Sequence, residues 1–298
     1  MAQNGLDSIL IANEIVGEKK LARIAALTDL CSIQYGVDSV FQIQEAERVF
    51  SACSRTAEVV VEIEVGENRS GILEDHDFLA ILAEVERCPH VAYKGVFGHD
   101  GNSYRAESPE RCREISLEAQ KKLLYFASLA EEHGHKSEIV SYGSTPAVLC
   151  GCDILKGITD LRVGTYVFMD ASQANAVHTF ESCAATVLAT VISCPAPERV
   201  ILDVGAKGLT MQERQTGICT SGGKGRILEN PHVKIDTMFD EHAIIHDTAF
   251  REQVKVGDKV RVVPAHICPV VNLYDTAYFY SGETVTAQIP VLCRGKLQ

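Results

Sequence analysis

Glu58-Val59-Val60-Val61-Glu62-Ile63-Glu64-Val65-Gly66 is a β-branched run that stops at a glycine and is followed, over residues 77–87, by apolar residues at helical spacing. Such a run, closed by a turn residue, reads as a strand that breaks at Gly66. The same unit recurs on either side. Upstream, residues 8–12 read as a strand before a helix over 18–30, and a second strand region ends at Ser39-Val40 before a helix carrying residues 45–50. Downstream, a fourth strand over 91–97 precedes a long polar loop and a helix over 112–133; a fifth covers 138–142 and a sixth 161–168. Six strand–helix units predict a parallel α/β sheet with helical crossovers. This is the wall of a (β/α)8-type TIM barrel, incomplete at its N-terminus because a closed barrel has eight strands.

After about residue 179 the texture changes. Residues 184–193, 199–204, 242–246, 259–263 and 284–291 are strand-like, with Gly and Pro turns between them and no long helix. The chain is therefore expected to divide into a barrel domain over 1–178 and a β-rich C-terminal domain over 179–298.

Composition narrows the function classes. Of 298 residues, 46% are hydrophobic and 23% charged, ordinary globular values. A formal charge of −12 with dispersed basic residues argues against a nucleic-acid surface, which needs clustered Lys and Arg. No apolar run reaches the roughly 18 to 20 residues of a membrane span, and the first residues lack the order of a signal peptide. A cytoplasmic location is expected, with small molecules or other subunits as partners and no membrane. The eleven cysteines should then be mostly reduced thiols. Cys150-Gly151-Cys152 reads either as a redox pair or as two thiols buried in a helix.

The loops after the strands are where a parallel barrel builds its site. Ser141-Tyr142-Gly143-Ser144-Thr145-Pro146 offers a glycine, two hydroxyls and the start of a helix. It suits a phosphate group, or Ser144 or Thr145 simply caps the helix with Pro146 in its first turn. Arg162-Val163-Gly164-Thr165-Tyr166 is a second loop of phosphate type. His99, in Gly98-His99-Asp100-Gly101, could be a general base, a group stacked on a planar ring, or a loop histidine bonded to backbone. Arg69, in Asn68-Arg69-Ser70-Gly71, could pair with a carboxylate or ring nitrogen, or be a solvated arginine. In Pro264-Ala265-His266-Ile267-Cys268, strand alternation continued from 260–263 would point imidazole and thiol to one face, as two ligands of a zinc ion or as core residues.

Taken in this order, the motifs resemble the D-serine dehydratase and D-threonine aldolase family of pyridoxal-phosphate enzymes, which have the alanine-racemase fold type. The resemblance runs almost end to end. It rests on the motifs above together with Asp7-Ser8-Ile9-Leu10-Ile11-Ala12, Val167-Phe168-Met169-Asp170, Asp203-Val204-Gly205-Ala206-Lys207 and Asp240-Glu241-His242-Ala243. It implies that Gly143, Ser144, Thr145, Gly164, Thr165 and Tyr166 hold the cofactor phosphate. It sets His99, Tyr104 and Arg69 around the cofactor ring and substrate, and makes His266 and Cys268 the metal ligands. Aldolase-like members carry aspartate where Cys268 stands and use a harder divalent ion; dehydratase-like members carry cysteine and use zinc, as thiolate softness favours. The implied reaction is β-elimination from a D-hydroxyamino acid, giving pyruvate and ammonia from D-serine, with a homodimer as the implied assembly. The alternatives are a D-threonine aldolase-like lyase and a non-catalytic homologue.

One family feature is missing. The segment of Arg-Pro-His-x-Lys-Thr-His-Lys type, whose lysine bonds the cofactor, has no counterpart, and Met1 falls where the family enters its third barrel strand. The sequence thus reads as N-terminally truncated. Lys94, Lys207 and Lys224 lie outside any matching motif and read as surface charge. Borohydride reduction of the purified 298-residue chain with pyridoxal phosphate should leave no cofactor-modified lysine; one such peptide by mass spectrometry refutes this reading.

Overall fold

The structure is a computed structural model describing residues 1–296. These divide into two compact units: Met1–Ser103 with Glu110–Val163, and Tyr104–Pro109 with the residues from Gly164 onward.

The first unit runs β1 (Ser8–Glu14), α1 (Glu18–Leu27), β2 (Ser32–Val37), α2 (Val40–Ser51), β3 (Ala57–Glu62), α3 (Asp75–Arg87), β4 (Val91–Gly98), α4 (Pro109–Glu132), β5 (Ile139–Tyr142), α5 (Thr145–Leu149) and β6 (Asp160–Leu161). The strands form one sheet in the order β1-β2-β3-β4-β5-β6, and every pairing is parallel. This is the expected six-strand portion of a barrel wall. Val59, Val60 and Val61 are all fully buried, so β3 is covered on both faces. Each such side chain contributes about 1.5–3 kcal/mol relative to exposure. The helices cover the sheet through apolar stripes such as Ile43, Ala46, Val49 and Phe50 of α2.

The strand expected over 58–65 runs Ala57–Glu62, and two further boundaries differ from the expectation. Ser39-Val40 does not end a strand: β2 stops at Val37, and Ser39 caps α2 in a capping box with Gln42, whose Oε1 accepts the Ser39 N–H at 3.0 Å. This reciprocal cap outweighs the β preference of Val40. The sixth strand is only Asp160–Leu161 rather than 161–168, because the chain then turns at Gly164 into a 3-10 turn, Thr165–Val167.

The second unit opens with α6 (Ala171–Ala176) and is otherwise mostly antiparallel. Its elements are β7 (Val187–Ala196), β8 (Arg199–Leu202), α7 (Ala206–Leu209), β9 (Gly225–Ile227), β10 (Asn230–Lys234), β11 (Thr237–Met238), β12 (Ala243–His246), α8 (Thr248–Gln253), β13 (Lys259–Pro264), α9 (Ile267–Val271), β14 (Thr276–Ser281) and β15 (Thr284–Pro290). Seven strands form a sheet in the order β10-β9-β13-β7-β8-β12-β11 over a core that includes Val191, Leu202, Ile245 and Val262; β14 and β15 form a separate hairpin. Strands β9 to β11 escape sequence reading because they are short and broken by Gly and Pro, leaving no stretch of alternation to recognise. Among the described residues no helix is long and apolar enough to cross a membrane.

In β4 the register to β3 slips, with Tyr93 opposite Val59 and Gly95 opposite Val60, so Lys94 is the extra residue of a bulge. Gly95 has φ +149° there, and a Cβ would lie 1.8 Å from the Ile139 carbonyl oxygen. Gly95→Ala should therefore cost more than about 3 kcal/mol in urea unfolding. Gly134→Ala, at φ +84° with open space around it, should cost about 1 kcal/mol. Equal losses would show that the close approach carries no weight.

Candidate cofactor and metal sites

Because all six strands of the first unit are parallel, their C-terminal ends share one rim, and the polar residues gather there. Glu62 ends β3 almost fully buried; its Oε2 accepts the Ser70 hydroxyl at 2.7 Å and its Oε1 lies 3.6 Å from the Arg69 guanidinium. Arg69 also pairs with Glu67 at 3.3 Å, so it is an engaged rather than a merely solvated arginine. Past β4, His99 Nδ1 lies 2.9 Å from the Gly143 carbonyl. A carbonyl only accepts, so Nδ1 carries the hydrogen and Nε2 faces Glu67 at 4.0 Å.

Behind this rim lies a buried network. Asp100 Oδ2 accepts from the Ser116 hydroxyl at 2.8 Å and the Tyr142 phenol at 2.9 Å. Burial pushes the Asp100 carboxyl upward, while the hydroxyls of Ser116, Ser144 and Tyr142 draw it back. Arg162 donates to Ser141 Oγ at 3.0 Å and to the Gly98 carbonyl at 2.8 Å, with its guanidinium 5.3 Å from the Phe97 ring centroid. Burial lowers it to about 10 against the opposing pull of Glu62 and Asp100.

The glycine turn after β5 has the geometry of an anion cradle. Gly143 has φ +139°, and a Cβ would meet the Arg162 amide nitrogen at 2.9 Å. Ser144 begins α5 without a side-chain cap; its Oγ instead lies 3.1 Å from Ser103 Oγ. Thr145 is buried, and its hydroxyl has no hydrogen-bond partner. A buried unpaired hydroxyl is costly unless something fills its hydrogen bond, and an anionic oxygen would do so. Neither hydroxyl caps the helix, so the capping alternative loses its support.

In the second unit, Gly164 leaves open space where a Cβ would stand, Thr165 is buried and Tyr166 exposed. Tyr104 is buried with the Arg214 guanidinium 4.1 Å over its ring. Strand alternation does not place His266 and Cys268: β13 ends at Pro264, His266 is the N-cap of α9 and Cys268 lies in its first turn. The two side chains still meet. The hydrogen bond from His266 lowers the Cys268 thiol against the opposing effect of burial, and Thr165 Oγ1 lies 3.8 Å from its sulfur. Burial would lower His266, but Asp170 and Cys268 outweigh it and raise the imidazole to about 9.

This imidazole and thiol suit two positions of a zinc tetrahedron, leaving the others open. Among the described residues no group of three or more His, Cys, Asp or Glu side chains could hold a metal ion. Cys150 is the C-cap just past α5 and Cys152 lies beyond it, so neither is in a helix; all eleven cysteines are free thiols. Lys94, Lys207 and Lys224 are engaged by Glu138 at 3.3 Å, Glu241 at 2.6 Å and Glu213 at 3.2 Å.

The alanine racemase N-terminal domain family matches residues 3–172, and the putative serine dehydratase domain family matches residues 184–280. The chain belongs to the D-serine dehydratase and D-threonine aldolase family of alanine-racemase-type pyridoxal-phosphate enzymes. Members of this family are lyases, and by family the chain is an enzyme. It is 30% identical over 276 residues to a D-threonine aldolase of Arthrobacter sp, covering 91% of this chain and 70% of that protein. It is 27% identical over 256 residues to a D-threo-3-hydroxyaspartate dehydratase of Delftia sp., covering 80% and 66%. A solved D-threonine aldolase from Filomicrobium marinum superposes with a TM-score of 0.86 at 25% identity, covering 100% of this chain and 80% of that one.

Sequence reasoning passed over Asp100, Arg162, Asp170 and Glu14. Asp100, Arg162 and Asp170 stand in the motifs quoted above, but their partners are not visible there; Glu14 lies beyond the strand read over 8–12. Glu14, at the end of β1, has a buried Oε1 without a partner; burial, then the hydrogen bond with Glu62, raises its carboxyl to about 8. A raised acid stabilises the fold below its ordinary value near 4.5, and that contribution is lost as pH rises through about 8. Glu14→Gln should therefore gain thermal stability relative to the original chain between about pH 5 and about pH 8.5. A parallel pH dependence in both proteins would sink the assignment.

Proposed function

We propose that this chain is a D-serine dehydratase-like lyase that uses pyridoxal phosphate and zinc and acts on D-3-hydroxyamino acids by β-elimination. The observation that carries this reading is the His266–Cys268 pair: a thiol held low by a neighbouring imidazole is a soft donor of the kind zinc prefers. By the resemblance, a cysteine at this position belongs to the dehydratase branch.

Bound pyridoxal phosphate supplies an electron sink at the substrate α-carbon, and zinc supplies Lewis acidity toward the β-hydroxyl. The chain's own residues supply the rest. Thr145 and Ser144 donate hydroxyl hydrogens to the cofactor phosphate beside Gly143; Gly164, Thr165 and Tyr166 are assigned to the same role. His99, with Nδ1 tied to the Gly143 carbonyl, takes a proton at Nε2. Arg69 exchanges its pairs with Glu62 and Glu67 for the substrate carboxylate, and Tyr104 lines the cofactor side. The domains are assigned as 1–178 for the cofactor and 179–298 for the metal, in a cytoplasmic homodimer.

Two other readings have observations behind them. The 30% identity to the Arthrobacter D-threonine aldolase favours aldolase-type cleavage. The carboxylates that engage Lys94, Lys207 and Lys224 favour a homologue that binds ligands without turnover.

The test supplies both cofactors and follows products. Pyruvate from D-serine in a form that carries the cofactor-bonding lysine segment, lost in Cys268→Ala of that form, is the expected outcome, together with about tenfold weaker pyridoxal-phosphate binding in Thr145→Val. Glycine plus an aldehyde from D-threonine alone decides for the aldolase branch. No product with both ligands bound decides for the non-catalytic homologue.

A further inference from the structure

Asp170 is fully buried, yet its carboxylate is held by three N–H donors rather than by a lysine or arginine. Oδ1 accepts the Gln173 amide at 2.9 Å, which makes Asp170 the N-cap of α6. Oδ2 accepts the Ile267 amide at 3.1 Å and faces His266 Nδ1 at 2.9 Å. The amide of Ile267 belongs to the first residue of α9, so one carboxylate ties the starts of two short helices. The residue before it, Met169, is buried and holds φ +57°, a left-handed conformation uncommon for a non-glycine residue. The chain thus adopts a costly turn at the point where it delivers this carboxylate.

The chemistry of the contact is one-directional. An ionised carboxylate only accepts, so the ring nitrogen facing it carries the hydrogen. Nε2 is then the ring nitrogen that, on giving up its proton, offers a lone pair to a metal ion. Rotation of the ring is fixed as well, because the same Oδ2 is pinned by the Ile267 amide. Thr165 completes the surroundings from the other side, its hydroxyl 3.8 Å from the Cys268 sulfur.

We infer that Asp170 is the positioning residue of the His266–Cys268 centre: it holds His266 by Nδ1–H and aims Nε2 at a borderline-soft divalent ion such as zinc or cobalt. The inference rests on the metal reading above and adds to it the residue that sets the tautomer. Partners of this kind beyond the ligands typically change metal affinity by 10–100-fold.

Zinc affinity of the metal-free chain, measured by competition with a chromogenic chelator, should fall by about 10–100-fold in Asp170→Asn, with the unfolding transition retained. Cobalt loading gives a second signal through the Cys268 thiolate absorption, which should weaken in parallel. Should Asp170→Asn fail to fold, nitrogen NMR of the unaltered protein decides: on zinc addition His266 should keep its hydrogen on Nδ1 and bind through Nε2. Zinc bound through Nδ1 overturns the inference, as does unchanged affinity in folded Asp170→Asn, provided His266→Ala has lost its zinc. A chain that takes up no zinc at all overturns the metal reading together with this one.

Discussion

The parallel hydrogen-bond ladder is the constraint on which the first unit depends. Parallel neighbours cannot be joined by a tight turn, so every connection is a crossover, and helices are the economical way to make one. Those crossovers bury β3 on both faces and leave its backbone satisfied within the sheet. They also send every strand in the same direction. Polar residues that would be costly in the middle of the sheet therefore collect at one rim, where Glu14, Glu62, His99, Gly143 and Arg162 all stand at or just past strand ends.

That rim is held together by groups that burial makes expensive. Asp100 and Arg162 are both shifted against their charged forms by desolvation. Each is compensated by fixed hydrogen bonds: two hydroxyls on Asp100, a hydroxyl and a carbonyl on Arg162. Such a network is costly when partly satisfied and rigid when complete. Asp100 Oδ1 and the Thr145 hydroxyl are both buried without a hydrogen-bond partner. In the second unit the same economy operates around Asp170, whose carboxylate serves two helix starts and one imidazole.

Much of this was legible before the structure. The β-branched runs and the helical stripes between them gave the six units, because both are local patterns that need no distant partner to be seen. Gly143, Ser144 and Thr145 stood out as a turn with hydroxyls. Capping and anion binding use the same residue types, however, and only the placement of Ser144 Oγ on Ser103 separates them. His266 and Cys268 were found as a pair for a reason that fails: two-residue alternation assumes a strand, whereas the chain has already turned into α9. The turn from the extended N-cap His266 into the first turn of α9 brings them together instead.

What the sequence determined by itself is the class of fold and the family, since both are written in local patterns of apolarity and in short motifs read along the chain. What only tertiary structure decided is how the charged residues are used. The roles of Asp170 and Asp100 depend on partners 96 and 42 residues away. Hydrogen bonds act over about 3 Å in space, and no pattern along one chain reports which distant donors will arrive within that reach.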